Sequence, residues 1–550
     1  YGLLTSIRTK QGFTTSLTYD DNYNLYSITS PAGKEYEFTC DAAGLVRQIR
    51  LPNGGTLSYE YDSRRNLVSF TDAMGGTTEY TYDGDSLLLT ATDADGNTFV
   101  DNTYDGEGRV VRQLDATGNE TTLEYGDGFT VTTDANGNET TYHYDENYYT
   151  TSVEYPDGTS ESMEYDGSGN LISAVDQAGK ETLYEYDDAG NLTALTRWDG
   201  AVRRFEYNDA NQVVKITDFD GKVTSYSYST SGDLLQVTNN DGTTIVYEYN
   251  DKHQPVKQTG AGGHVTQYEY DGPWLSALVD AEGHRTEFYY NAMGLATSMV
   301  DANGGVTRIG YDLSGRTIME QSADGAATYY EYSPAGYVLS ITDPNGYVSQ
   351  FEYDPNGNIV LGTDPLGGTL ERTYDAVWNM LSETDARGIT TEYTYDSMNR
   401  VSSVTDGDGN TTTYTYDALG NVAAITDPKG NVTEYEYDYR FSLPSTAADA
   451  LGNVTALEYD AVGNVLKQTN ADGSVLLYEY DNMNRINKTT DAAGLETVLS
   501  YDADGNITGM EDNAGRTLSY LYNKAGLPVE VTLPNGGKLP NEYDALGNLI

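Results

Sequence analysis

The sequence predicts an all-β fold: about 26 tandem hairpin units in one antiparallel ribbon, coiled into a hollow shell or tube. Three observations carry this. A Tyr-x-Tyr-Asp phrase returns almost every 21 residues, two turn signals fall in each period, and apolar side chains alternate between the turns. The second tyrosine of the phrase is the landmark. It stands at Tyr19, is replaced by Cys40 in "FTCDAAG", and continues from Tyr61 to Tyr543, giving 26 positions. The step lengthens to 22 after Tyr82 and Tyr437, and shortens to 19 after Tyr125 and to 20 after Tyr270. Cys40 therefore reads as a packed side chain on a tyrosine position.

Residues 416–431 show one period in full. The first turn is "YDALGN" (416–421) and the second is "TDPKGN" (426–431). Asp opens each turn, and Gly supplies the positive φ that a tight hairpin needs. Between the turns lie runs of about six residues rich in Val, Ile, Leu, Thr and Tyr, which read as strands. Two strands per repeat give roughly 52. In the strand that ends at the landmark, Tyr414 and Tyr416 share one face and Thr415 takes the other. In the returning strand the apolar sites, such as Val422 and Ile425, lie three residues apart. Either a bulge corrects the register or both faces are partly covered. At about 4.8 Å per strand the ribbon is about 250 Å long. Sheets beyond about ten strands curl or split, so it is expected to coil.

Composition narrows the function. The 550 residues carry 31 basic and 85 acidic side chains, a net charge of −54, which excludes nucleic acid and anionic membrane as partners. Arg64-Arg65 and Arg203-Arg204 are isolated basic pairs. Fifty tyrosines stand against ten phenylalanines; tyrosine packs its ring and keeps a hydroxyl for a hydrogen bond, which suits a thin sheet with two wet faces. One cysteine rules out an internal disulfide, and no apolar run is long enough to cross a bilayer. The chain reads as a single repeat array over residues 1–550, a piece of something longer, since it begins without methionine and stops inside a further copy of the phrase.

The phrase "YDALGNV…TDPKGNVTEYEYD" resembles the YD (Rhs) repeat, over essentially residues 19–550. The family includes bacterial Rhs and wall-associated proteins, the C subunits of insecticidal Tc toxins, and the YD shell of animal teneurins. The resemblance implies a spiralling ribbon that forms a hollow shell, and in bacterial members a C-terminal toxin enclosed within it and released through self-cleavage by a core domain. No core domain, toxin segment or N-terminal plug is recognisable here, so that cleavage is carried over to no residue. The Asp-Pro pairs at 343–344, 354–355, 364–365 and 427–428 lie in ordinary repeat turns.

Chemistry finds little purchase. The four histidines (His143, His253, His264, His284) belong to no HExxH or related motif. A catalytic carboxylate pair needs one special environment rather than 26 similar ones. The loops "DADGN" (93–97, 502–506), "DFDG" (218–221) and "DGDGN" (406–410) lack the later Gly and distal Glu of a calcium loop. No enzyme activity, cofactor or metal is expected. Trp378 stands where the first turn usually has Gly, and so do Phe441 and Tyr148. These bulky rings require the turn to change type or to bear strain, and are the candidate loop-tip interaction residues for a partner, sugar or cargo. Trp274 accompanies the shortened step after Tyr270. The leading expectation is a structural shell of a secreted or surface bacterial protein. Its partner is its own C-terminal toxin or effector, with secretion machinery or a surface glycan as further candidates and no membrane insertion. The alternative is an adhesin or fibre in which the ribbon supplies length and binds glycans.

Overall fold

The computed structural model describes residues 2–550. They form 52 strands in one sheet, from Ser6–Arg8 to Lys538–Pro540, with no helix among the described residues. Every strand pairs antiparallel with the strands before and after it in sequence. The sheet is thus a pure meander with two free edge strands.

Both turns of a repeat have the same build, a type I turn closed by a left-handed residue. In the first turn the Asp417 N–H donates to Asn421 O (2.9 Å), and the Gly420 N–H donates to Asp417 O (3.1 Å). The Asp417 carboxylate accepts from the N–H groups of Leu419 and Asn421, and from the Asn421 side chain. Asp427 repeats this in the second turn with Lys429 and Asn431. Gly420 and Gly430 take φ of 82° and 83°, which glycine adopts without steric cost. Where Asp is missing from the first position, an acceptor two residues later substitutes, as Asp199 does by accepting from the Ala201 N–H.

The returning strand resolves through a bulge. Tyr414 pairs with Ile425 and Thr415 with Ala424, but Tyr416 pairs with Val422, leaving Ala423 as the extra residue. Val422 and Ile425 thereby face the same side as Tyr416 and Tyr414, and the three-residue spacing is explained. The bulge recurs in repeat after repeat. The hairpin Glu120–Gly126 to Phe129–Thr133 lacks it, because the 19-residue step shortens that loop to Asp127-Gly128. Trp274 pairs with Asp271 across a Gly272-Pro273 loop, as its shortened step predicts.

The preference for tyrosine over phenylalanine has a specific cause. The ladder between the returning strand Val401–Thr405 and the next strand runs only from Ser403 to Thr405. The Val401 carbonyl is left without a backbone donor, and the Tyr416 hydroxyl donates to it at 2.7 Å. The same bond, fifteen residues back, is made by Tyr19, Tyr207, Tyr353, Tyr437, Tyr501 and Tyr543 among others. At Cys40 only a 3.9 Å thiol contact to Leu25 O remains. Burial raises the Tyr416 hydroxyl above its ordinary pKa, with Asp396 adding to it, so the group stays a donor.

The ribbon coils, and the wall it makes is one sheet thick. Second turns meet first turns 238 to 264 residues later, which corresponds to about twelve repeats, or about 24 strands, per circuit. At about 4.8 Å per strand the perimeter is about 115 Å, and a circle of that perimeter is about 37 Å across at the backbone. Strands touch only their neighbours in sequence. The buried apolar side chains are merely Ala91, Val153, Ala194 and Ala277. The accessible surface is 30034 Å², against about 19,000 Å² for a compact protein of this mass. A flattened coil would press its faces together at about 10 Å and bury them; this one keeps both faces wet around a space. The extended ribbon of the fibre alternative is not what the chain forms.

Candidate functional site

The seam between successive circuits is where the repeat stops being uniform. Each second turn sits between two first turns of the next circuit, because the two turn types are half a repeat out of phase. Asp115 shows this: its carboxylate accepts from Asn356 Nδ2 (2.8 Å) and from Trp378 Nε1 (3.0 Å), from adjacent first turns. Asn356 also accepts from the Ala116 N–H at 3.0 Å. Elsewhere Ser333 donates to Asp95 (2.6 Å), Asn136 to Asp375 (2.9 Å), Asn303 to Asp544 (3.0 Å), and Arg400 to Asp157 (3.3 Å). Lys222 meets Asn484, and Lys10 pairs with Asp233 at 3.4 Å.

Arg197 is the most buried charge of the seam, 9% exposed. Its guanidinium lies over the rings of Phe219 (4.1 Å) and Phe441 (5.1 Å), and donates to Asp199 (3.1 Å) and to Ala461 O (3.0 Å) on the next circuit. Two aromatic faces and two acceptors suit a planar, weakly hydrated cation.

These contacts relocate the sequence candidates. Trp378 takes φ 70° and keeps the turn, its N–H donating to Asp375 O; the turn type is unchanged and the backbone bears the strain. Its indole is committed to Asp115 and bounds a cleft of about 260 Å³ with Phe99 and Ala135. Phe441 corrects its expectation. The 22-residue step lengthens that loop by one residue, so Ser442 takes the positive φ (51°). The Phe441 ring lies half-buried against Arg197 and Arg440. Tyr148 does take the glycine position, with φ 64° and 80% exposure. The three residues do not converge.

The histidines and acidic loops are also spoken for. His264 meets Asp504 across the seam at 2.8 Å, His284 its own turn's Asp280 at 3.0 Å, and His253 the neighbouring turn's Asp233 at 2.7 Å. The Asp93 carboxylate accepts from the Asp95 and Asn97 N–H groups and from the Asn97 side chain. Among the described residues no three His, Cys, Asp or Glu side chains gather as metal ligands do.

The seam carboxylates titrate low. Burial pushes Asp115 up, but hydrogen bonds from Asn119, Trp378 and Thr117 outweigh it and bring the group to about 2. Burial likewise opposes, and hydrogen bonds overcome, the lowering of Asp157 by Thr159 and Arg400 and of Asp375 by Asn379 and Asn136. Asp544 falls to about 2 through hydrogen bonds from Asn548, with Asn303 adding to it. Sequence missed Arg197, Asp115 and Asn356 because their partners lie a circuit away. Arg197 alone left a trace: "TRWDG" puts Arg where the second turn opens with Asp.

A single sheet coiled on itself and fastened at its turns defines a shell-forming β-repeat protein. The comparisons agree and are more specific. The Teneurin YD-shell model matches residues 366–497, and the RHS Repeat model matches 66–98, 165–202, 207–244, 332–369 and 501–538. The chain belongs to the YD/Rhs-repeat family. No curated protein sequence matches it. Among solved structures it is similar in fold to a TcdB2-TccC3-TEV complex, at 15% identity and TM-score 0.60, covering 100% of this chain and 43% of that one. A Tc holotoxin pore from Photorhabdus luminescens gives 15% identity, TM-score 0.60 and coverage of 100% and 42%. TcdB2-TccC3 without its hypervariable C-terminal region gives 15%, 0.60, and coverage of 99% and 42%. The chain thus spans less than half the length of these structures.

Proposed function

We propose that this chain is the non-enzymatic wall of a container that encloses a toxin or effector polypeptide, the C-terminal region of the longer protein to which the repeats belong. The observation that carries the reading is the wall itself: one sheet thick, wet on both faces, closed on itself by side-chain clasps from turn to turn. The similar fold of the Tc complexes, one of which is described by a hypervariable C-terminal region, supports it. Mechanistically, the seam confines a linked segment, and the acidic wall, with its net charge of −54, keeps the particle soluble. Secretion or display at a bacterial surface, with a secretion apparatus as partner, belongs to the same proposal.

The test is limited proteolysis of the natural protein from which these residues come. Polypeptide flanking the repeats is expected to resist protease until the coil is opened. Cleavage of that polypeptide at the rate of a free peptide would overturn the container. Small-angle scattering of the 550-residue chain is expected to show the minimum of a hollow particle, and a featureless solid profile would count equally against it.

A further inference from the structure

The coil has two rims, and each presents the half of the seam that the other lacks. On one rim lie the first turns from Asp20 to Gln212; on the other lie the second turns from Ser322 to Gly537. No hydrogen bond or ion pair joins either set to another circuit, whereas first turns from Ser229 onward and second turns up to Gly305 are fastened to each other. The rims are therefore complementary in kind and close to one circuit long.

We propose that the rim of first turns docks on the rim of second turns of another copy of this chain, stacking shells head to tail through a repetition of the internal seam. The argument is continuity with that seam, sharpened by three aromatic residues. Trp378, Tyr148 and Tyr23 hold the left-handed position of a first turn, with φ 70°, 64° and 67°. A bulky side chain there is strained where glycine is not. In the seam the strain has a visible return: the Trp378 ring reaches across to Asp115 on the second turn opposite. Tyr148 and Tyr23 are built alike, each N–H donating to the turn's opening Asp at 3.0 Å. They stand on the open rim, 80% and 75% exposed. Their phenols are placed to donate to a second-turn carboxylate of a neighbour, as the indole does. The opposite rim is equally uncovered, with Leu366 and Leu451 projecting from its second turns. Such a contact is heterologous, so it propagates rather than closing as a symmetric dimer. Its brake is the net charge of −54, which salt screens.

The experiment is sedimentation of the 550-residue chain over a concentration series at low and at moderately high salt. Particle mass is expected to rise with concentration, and more steeply in salt. The double variant Tyr23→Gly/Tyr148→Gly removes both rings and both strained backbones, so it is expected to fold at least as stably as the parent. Its dissociation constant is expected to rise about tenfold or more. Trp378→Gly, inside the seam, is expected to leave association unchanged. A parent that stays monomeric under all conditions, or a double variant that associates like the parent, overturns the proposal.

Discussion

Replacing Tyr416 by Phe removes one oxygen and tests why the repeat is spelled with tyrosine. The ring still packs with Ile425 and Val422 on its face, so the apolar contribution is retained. What is lost is the 2.7 Å bond to the Val401 carbonyl, which has no ladder donor because the pairing with the next strand starts at Ser403. A neutral hydrogen bond contributes about 1 kcal/mol, and a carbonyl left unsatisfied in a half-buried site costs about 1–3. A local loss of about 1–2 kcal/mol follows. A long repeat array need not unfold in one step, so the assay is native-state hydrogen exchange rather than a global melt. Amides of Ser403–Thr405 and Thr411–Thr413 are expected to exchange about 5–30 times faster, with distant repeats unaffected. The reverse variant, Cys40→Tyr, gives the Leu25 carbonyl a proper donor in place of a 3.9 Å thiol contact, and is expected to slow exchange around Leu25–Thr29. If Tyr416→Phe leaves exchange unchanged, or Cys40→Tyr accelerates it, the hydroxyl is not what selects tyrosine.

Alkali and acid act on different parts of the wall. Tyr416, Tyr437, Tyr480 and Tyr501 all sit above the ordinary tyrosine value, chiefly through burial. A raised folded value means their stabilisation is complete below the unfolded pKa of about 10 and is lost as pH rises through the folded values. Circular dichroism and phenolate absorbance are expected to change together above pH 10. The seam carboxylates are lowered, Asp115 to about 2, so their contribution is present above about pH 4 and is lost as pH falls toward 2. Scattering at stepwise lower pH is expected to show the circuits separating in that window; a seam intact at pH 2 would refute the assignment. Arg197→Ala removes two aromatic contacts and the bond to Ala461 O. It is expected to destabilise the seam locally by about 3 kcal/mol, read as faster exchange near Gly200 and Ala461 while remote hairpins keep their protection.

Much of the ribbon was legible because each hairpin carries its own instructions. Asp417, Gly420 and Asn421 fix a turn within six residues, and the alternation of Tyr414, Thr415 and Tyr416 fixes which face is apolar. The three-residue spacing of Val422 and Ile425 raised the question of register, and the bulge at Ala423 answered it. The ring at 378 was visible as an anomaly, but its role was not, since Asp115 lies 263 residues away. Phe441 was misplaced because one extra residue in its loop moved the left-handed position to Ser442.

The sequence by itself therefore determined the strands, the turns, the tyrosine face and the need to coil, all of which depend on residues within a period or two. The tertiary structure alone decided the circumference, the half-repeat offset between circuits, and hence which turns meet. The physical reason is that circumference is the sum of small rotations between successive strands over about twelve repeats. No single residue encodes that sum, yet it decides whether an aromatic ring in a first turn ends in a seam, as Trp378 does, or on an open rim, as Tyr148 does.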